Sequence, residues 1–108
     1  MENQHRQIKG YRELSKEEID LMNRIKETGE QLGTLCNELV ARLNTDHDVK
    51  AAAAQRSKLA PNDEGSDECV EFNRFRAAEP LRWANIGKTK VQLGIMALIR
   101  AVAQPSTF

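Results

Sequence analysis

The sequence has no excess of either charge: 16 Lys+Arg stand against 16 Asp+Glu over 108 residues. That balance argues against a strongly basic binder of long nucleic acid and against an acidic solubilising tail. No apolar run approaches the length that spans a bilayer, and the first residues, MENQHRQIKG, lack the apolar core of a signal peptide. Cys36 and Cys69 are the two cysteines, too few and too far apart for a disulfide framework or a zinc motif. A reducing cytoplasm is therefore the expected compartment. Catalytic equipment is equally sparse. His5 and His47 are the two histidines, and neither has a nucleophile or ligand partner at a recognisable spacing. Asp46-His47-Asp48 offers metal-binding side chains, but no second cluster completes a site. Glycine-rich phosphate loops of the Walker or Rossmann type are missing. The expectation is a protein that is not an enzyme and needs no cofactor or metal.

What is present is helical periodicity. Ser15 with Glu18 three residues on is a capping box, and Leu14 with Ile19 has the spacing of a hydrophobic staple. From there Met22, Ile25, Gly29, Leu32, Cys36, Leu39 and Leu43 alternate in steps of three and four, a seam for another helix. Asn44-Thr45-Asp46 can fray it, but the alanines at 51–54 carry helical propensity on toward Ser57. Pro61-Asn62-Asp63-Glu64-Gly65-Ser66 reads as a turn. Beyond it Ala77, Leu81, Ala84, Lys88, Val91, Ile95, Leu98 and Val102 form a second seam, and Pro105 stops it. Pro80 either opens a separate helix or kinks a long one; because the heptad phase survives across it, a kink is favoured. The pattern implies an all-α, antiparallel helical hairpin in a single domain, residues 1–108. Its parts are an N-terminal segment 1–14, a first long helix 15–57, a turn 58–66 and a kinked second long helix 67–104.

A lone hairpin does not satisfy this sequence. Phe72, Phe75, Trp83, Ile86 and Leu93 fall on roughly the opposite side of the second helix from its seam. Leaving Phe72, Phe75, Trp83 and Leu93 in water forgoes about 1.5–3 kcal/mol for each burial. An obligate homo-oligomer of hairpins follows. The charge balance is also uneven along the chain: residues 44–71 are acidic, whereas 72–108 hold Arg74, Arg76, Arg82, Lys88, Lys90 and Arg100 against Glu79 alone. Either these are solvated helix faces, or some of the cations converge on an anion in the assembly.

Three positions look less like scaffold. Tyr11, the one tyrosine, precedes the capped helix start; it packs on the hairpin or stacks on a flat ligand where the helix N-terminus favours anions. Lys26 shares a row with Ile19, Gly33 and Val40 beside the apolar seam; it either snorkels into water or serves an interface or a phosphate. Arg82, near Trp83, suits subunit contacts or phosphate recognition, as do Lys90 and Arg100. Lys26 lies about 15 Å along the helix from its start. Tyr11 of the same chain meets it only by folding back, whereas Tyr11 of a neighbouring subunit needs no such fold.

At these residues the chain resembles the phage anti-CBASS cyclic-nucleotide sponges, which share a helical-hairpin domain with anti-Thoeris sponges. The resemblance rests on GYRELSKEEIDLMNRIK (10–26), AAEPLRW (77–83) and QLGIMALIRAVAQP (92–105), and nothing in 51–70 contributes to it. It implies a compact homohexamer that sequesters cyclic oligonucleotides such as 3′,3′-cGAMP without cleaving them, so starving a host effector of its signal. It implies that Tyr11 and Lys26 of paired subunits hold cyclic dinucleotides. A second pocket, shared by three subunits, would take cyclic trinucleotides through Thr28 and Arg82 with Gly10 close by. Long nucleic acid and membranes are not expected partners. The competing reading is a structural or adaptor oligomer with no small-molecule ligand.

Overall fold

A computed structural model describes residues 12–106. Their regular structure is helical throughout, with no strand among the described residues: α1 (Lys16–Ser57), α2 (Asp67–Ala78) and α3 (Pro80–Ala103). None of these helices is long and apolar enough to cross a membrane.

The boundaries follow local chemistry. At the start of α1 the capping box closes in both directions: the Glu18 backbone N–H donates to Ser15 Oγ at 3.1 Å, and the Ser15 N–H donates to Glu18 Oε1 at 2.9 Å. The Asn44-Thr45-Asp46 stretch does not end the helix. Thr45 Oγ1 donates back to the Ala41 carbonyl at 3.2 Å, and Asp46 pairs with Arg42 one turn earlier at 2.9 Å. After Ser57 the chain turns through Pro61, with the Asp63 N–H donating to the Ala60 carbonyl at 3.0 Å. The Asp63 carboxylate then accepts from the backbone N–H groups of Gly65 at 3.0 Å and Leu59 at 3.2 Å, and these bonds, that from Gly65 foremost, hold its pKa below the usual carboxylate range. Ser66 caps α2 by accepting from the Cys69 N–H at 3.0 Å.

The kinked second helix is corrected to two helices. Proline has no N–H, so Pro80 cannot donate to the Arg76 carbonyl four residues back. The Glu79 N–H makes that bond instead, at 3.1 Å, and to do so Glu79 adopts left-handed φ 50° and ψ 50°. Pro80 becomes the first residue of α3, a position where its missing N–H costs nothing.

The chain divides into two compact units, residues 1–34 with 89–108, and residues 35–88. In the first, the start of α1 runs antiparallel to the end of α3. Gly29 permits the approach: a Cβ there would stand 3.0–3.2 Å from three atoms of Ile95. In the second unit, Ala54 near the end of α1 and Cys69 and Phe75 of α2 are the buried residues. The His47 ring meets Phe72 edge-on at 5.5 Å, and the Lys50 ammonium lies 5.8 Å from the Phe75 centroid. Ser57, Ser66 and Cys69 form a polar cluster beside that core, with the two hydroxyls 2.6 Å apart.

Burial departs from the expected seams in three places. On α1 the half-buried line runs Met22, Ile25, Gly29, Gly33, Cys36, Val40 and Leu43, so that Leu32 and Leu39 are exposed. A straight helix repeats at about 3.6 residues, and a strict heptad stripe drifts off its face. On α2 Phe75 is only 6% exposed and Phe72 half-buried, whereas Ala77 faces out. The heptad phase carried across Pro80 fails because Glu79 resets the rotation of α2. On α3 the expected seam member Leu98 is exposed while Ile99 is half-buried. Trp83 and Leu93 are exposed, as expected.

Candidate functional site

Two of the expected site residues, Gly10 and Tyr11, lie outside the described residues. The remainder sit on helices. Lys26 and Thr28 are two positions apart on α1, about 200° around its axis, and so serve different faces. Lys26 is exposed and forms no ion pair with any described residue. Thr28 lines a shallow open groove of about 250 Å³ with Leu21, Arg24, Ile25, Ile95 and Leu98. That groove is mostly apolar, with Arg24 its one charged member.

Arg82 belongs to the other compact unit. It projects from the first turn of α3, its Nη1 at 3.4 Å from Glu79 Oε2 and its guanidinium 5.1 Å from the Trp83 ring centroid. Both partners of that ion pair are more than half exposed, a setting in which such a pair contributes little. Thr28 and Arg82 therefore do not share a compact unit within one chain. Lys90 and Arg100 are also exposed on α3.

Asp46-His47-Asp48 is committed elsewhere. Asp46 bonds to Arg42, the His47 ring packs on Phe72, and Asp48 lies 3.2 Å from His47 Nδ1. No group of three or more metal-binding side chains converges among the described residues.

One highly connected polar group in this region is not singled out by motif or periodicity. Arg12, adjacent to Tyr11 in the chain, grips Glu18 with both ends of its guanidinium, Nη1 to Oε1 at 3.1 Å and Nη2 to Oε2. Nη2 also donates to the Val102 carbonyl at 2.7 Å, in the last turn of α3. Glu18 thus closes the capping box and anchors Arg12 at once. The Arg12 guanidinium, with the Ser15 backbone N–H second, holds the Glu18 carboxyl down at about 2 and itself titrates higher than an ordinary arginine. A signal was present in the sequence: an arginine just ahead of a capping box whose glutamate has a free edge.

In the second unit Glu71 is held at about 2 by Arg74 and Lys50, the latter 2.8 Å away. Both glutamates have folded-state pKa values below their unfolded value of about 4.3. Their contribution is present above that value and is lost as pH falls through about 2. The melting temperature is therefore expected to decline between about pH 4.5 and 2. Glu18→Gln should flatten part of that decline in calorimetric scans, and an unchanged slope would remove Glu18 from the account.

Comparison with known proteins places the chain in a family. Residues 3–103 match the family described as Acb2/Tad1, hairpin domain. Over 105 residues, 97% of each protein, the chain is 62% identical to Anti-CBASS protein 2 of Pseudomonas phage JBD67.

Proposed function

The chain belongs to the Acb2/Tad1 hairpin-domain family, and from that premise we propose that it is a phage immune-evasion protein that binds and sequesters cyclic oligonucleotides. Its targets are cyclic di- and trinucleotides such as 3′,3′-cGAMP. It holds them without cleavage in the host cytoplasm and so deprives CBASS effectors of their activator. The observation that carries this reading is the near full-length identity to a phage anti-CBASS protein.

The structure supports it in three ways. Lys26 and Thr28 face different sides of α1, as two distinct pockets require. Lys26 is exposed and engaged by no described acid, so its charge is available to a phosphate. Exposed apolar side chains, among them Leu21, Leu93, Met96 and Leu98 in the first unit and Trp83 in the second, provide a drive for self-association. In the homohexamer we propose, Tyr11 of one subunit and Lys26 of another hold a cyclic dinucleotide. The paired residues then match the ligand's two bases and two phosphates. Gly10, Thr28 and Arg82 line the trinucleotide pocket, drawn from different subunits. No residue is assigned a catalytic role.

Titration calorimetry of the purified protein with a panel of cyclic di- and trinucleotides tests the reading. Tight binding is expected, followed by recovery of intact ligand on denaturation and a hexamer by light scattering. Silence across the panel with an oligomer intact would establish a purely structural assembly instead. Recovery of linear nucleotide would make it an enzyme.

A further inference from the structure

We propose that the second compact unit carries a separate anion site, a small cavity between the end of α1 and α2 that takes one hydrogen phosphate ion. The site goes beyond the proposed function and uses none of the residues assigned there.

The cavity has a local cause. Ala51 and Ala54 line it from α1, and side chains that stop at Cβ leave a hollow of about 100 Å³ against Phe72 of α2. Gln55 and Lys58 line it at the end of α1, and Asn73 and Arg76 line it on α2. Each pair is three residues apart, the spacing that puts two side chains on one face of a helix. The hollow falls well short of the roughly 300–1,000 Å³ of sites for drug-sized molecules. It is about three times the share of liquid volume that one water takes, which suits a tetrahedral ion and excludes a nucleotide.

Its charge favours an anion. Lys58 and Arg76 bring two cations to the lining against one acid, Glu64 from the turn. Neither cation makes an ion pair with a described residue. The Arg76 guanidinium lies 5.4 Å from the Phe72 ring centroid, a contact that steadies it and leaves its N–H edge unclaimed. Lys58 adds to the forces that hold the Asp63 carboxyl low, but Gly65 and Leu59 already donate to that carboxylate. The carboxamides of Gln55 and Asn73 supply further donors.

Glu64 selects among anions. A carboxylate accepts hydrogen bonds and cannot donate one, so it repels a fully ionised oxyanion such as sulfate. Hydrogen phosphate keeps a P–OH at neutral pH and can donate it to Glu64 while its other oxygens face Lys58 and Arg76. The dianion of a phosphomonoester has no such proton.

Equilibrium dialysis of the full chain against radiolabelled inorganic phosphate tests the site. The measurement is made at about pH 8, where a phosphomonoester has lost its second proton, with ionic strength fixed by sodium chloride. Saturable uptake is expected, with sulfate and glycerol 3-phosphate each competing at least about tenfold more weakly than unlabelled phosphate. Arg76→Gln and Lys58→Gln should each weaken uptake about tenfold or more, as the loss of a charged hydrogen-bond donor requires. Arg56→Gln removes the same charge from the exposed face of α1 two residues from Lys58 and should change uptake less than about twofold. Glu64→Gln should bring sulfate to within about twofold of phosphate, because a carboxamide can donate. Circular dichroism should match the wild type throughout. The proposal is overturned by uptake no greater than the chloride background, or by equal losses in Arg56→Gln and Arg76→Gln. Sulfate or glycerol 3-phosphate competing as well as phosphate would overturn the assignment to hydrogen phosphate. Uptake that survives Arg76→Gln and Lys58→Gln but is lost in Lys26→Ala would place the ion elsewhere and also overturn it.

Discussion

Tyr11→Ala is expected to reduce affinity for 3′,3′-cyclic GMP–AMP by between about 30-fold and 10⁴-fold. In the two-fold pocket proposed above, one tyrosine would stack on each base, and stacking is worth about 1–3 kcal/mol per base. Two lost stacks amount to about 2–6 kcal/mol, at about 1.4 kcal/mol per factor of ten. Lys26→Ala should cost a comparable factor by a different route. In the proposed pocket it would remove one cation from each side of a diphosphate ring, so the wild-type affinity should fall with salt more steeply than the variant's. Lys26→Arg keeps the charge and should keep most of the affinity. Lys26 is exposed on α1 with no ion pair to a described residue, so its removal should leave helicity unchanged. Calorimetry at two ionic strengths separates these effects. A folded Tyr11→Ala protein that binds as tightly as wild type would sink the pocket assignment.

The largest effect on stability is expected at Phe75. It is the one large aromatic among the three buried residues of the described chain, at 6% exposed. Its ring receives the Lys50 ammonium and lies 6.4 Å from the His47 ring. Buried Phe→Ala substitutions cost about 3–5 kcal/mol through lost burial and the cavity left behind. Chemical denaturation should register that loss as a lower midpoint, compared at one fixed protein concentration because the self-association proposed above would be linked to folding. A change within about 0.5 kcal/mol, the range of ordinary surface substitutions, would show that the second unit does not depend on this ring.

Phe75 also marks the limit of periodicity. Its apolar character and helical setting are plain in the sequence, but a heptad phase continued across Pro80 puts it on the outward side. A single residue, Glu79, in left-handed conformation broke that continuity. Everything N-terminal to it rotated, bringing Phe72 and Phe75 inward and Ala77 outward. Lys26 and Thr28, by contrast, fall on one uninterrupted helix, so their separation around α1 could be counted from the sequence. Arg12 was legible only as a charged residue near a cap, because one of its partners, Val102, is 90 positions away.

The division has a physical basis. The sequence by itself determined the capping box at Ser15, the span of α1, the turn around Pro61 and the end of α3 near Pro105. Each of these depends on hydrogen bonds and backbone preferences that act within about four residues. The rotation of α2 against α3, the choice of Gly33 and Val40 over Leu32 and Leu39 for the inner line, and the clasp of Arg12 on two helix ends were decided only in the tertiary structure. Those depend on one backbone angle pair and on which distant surfaces meet, and no periodicity in a single chain segment encodes either.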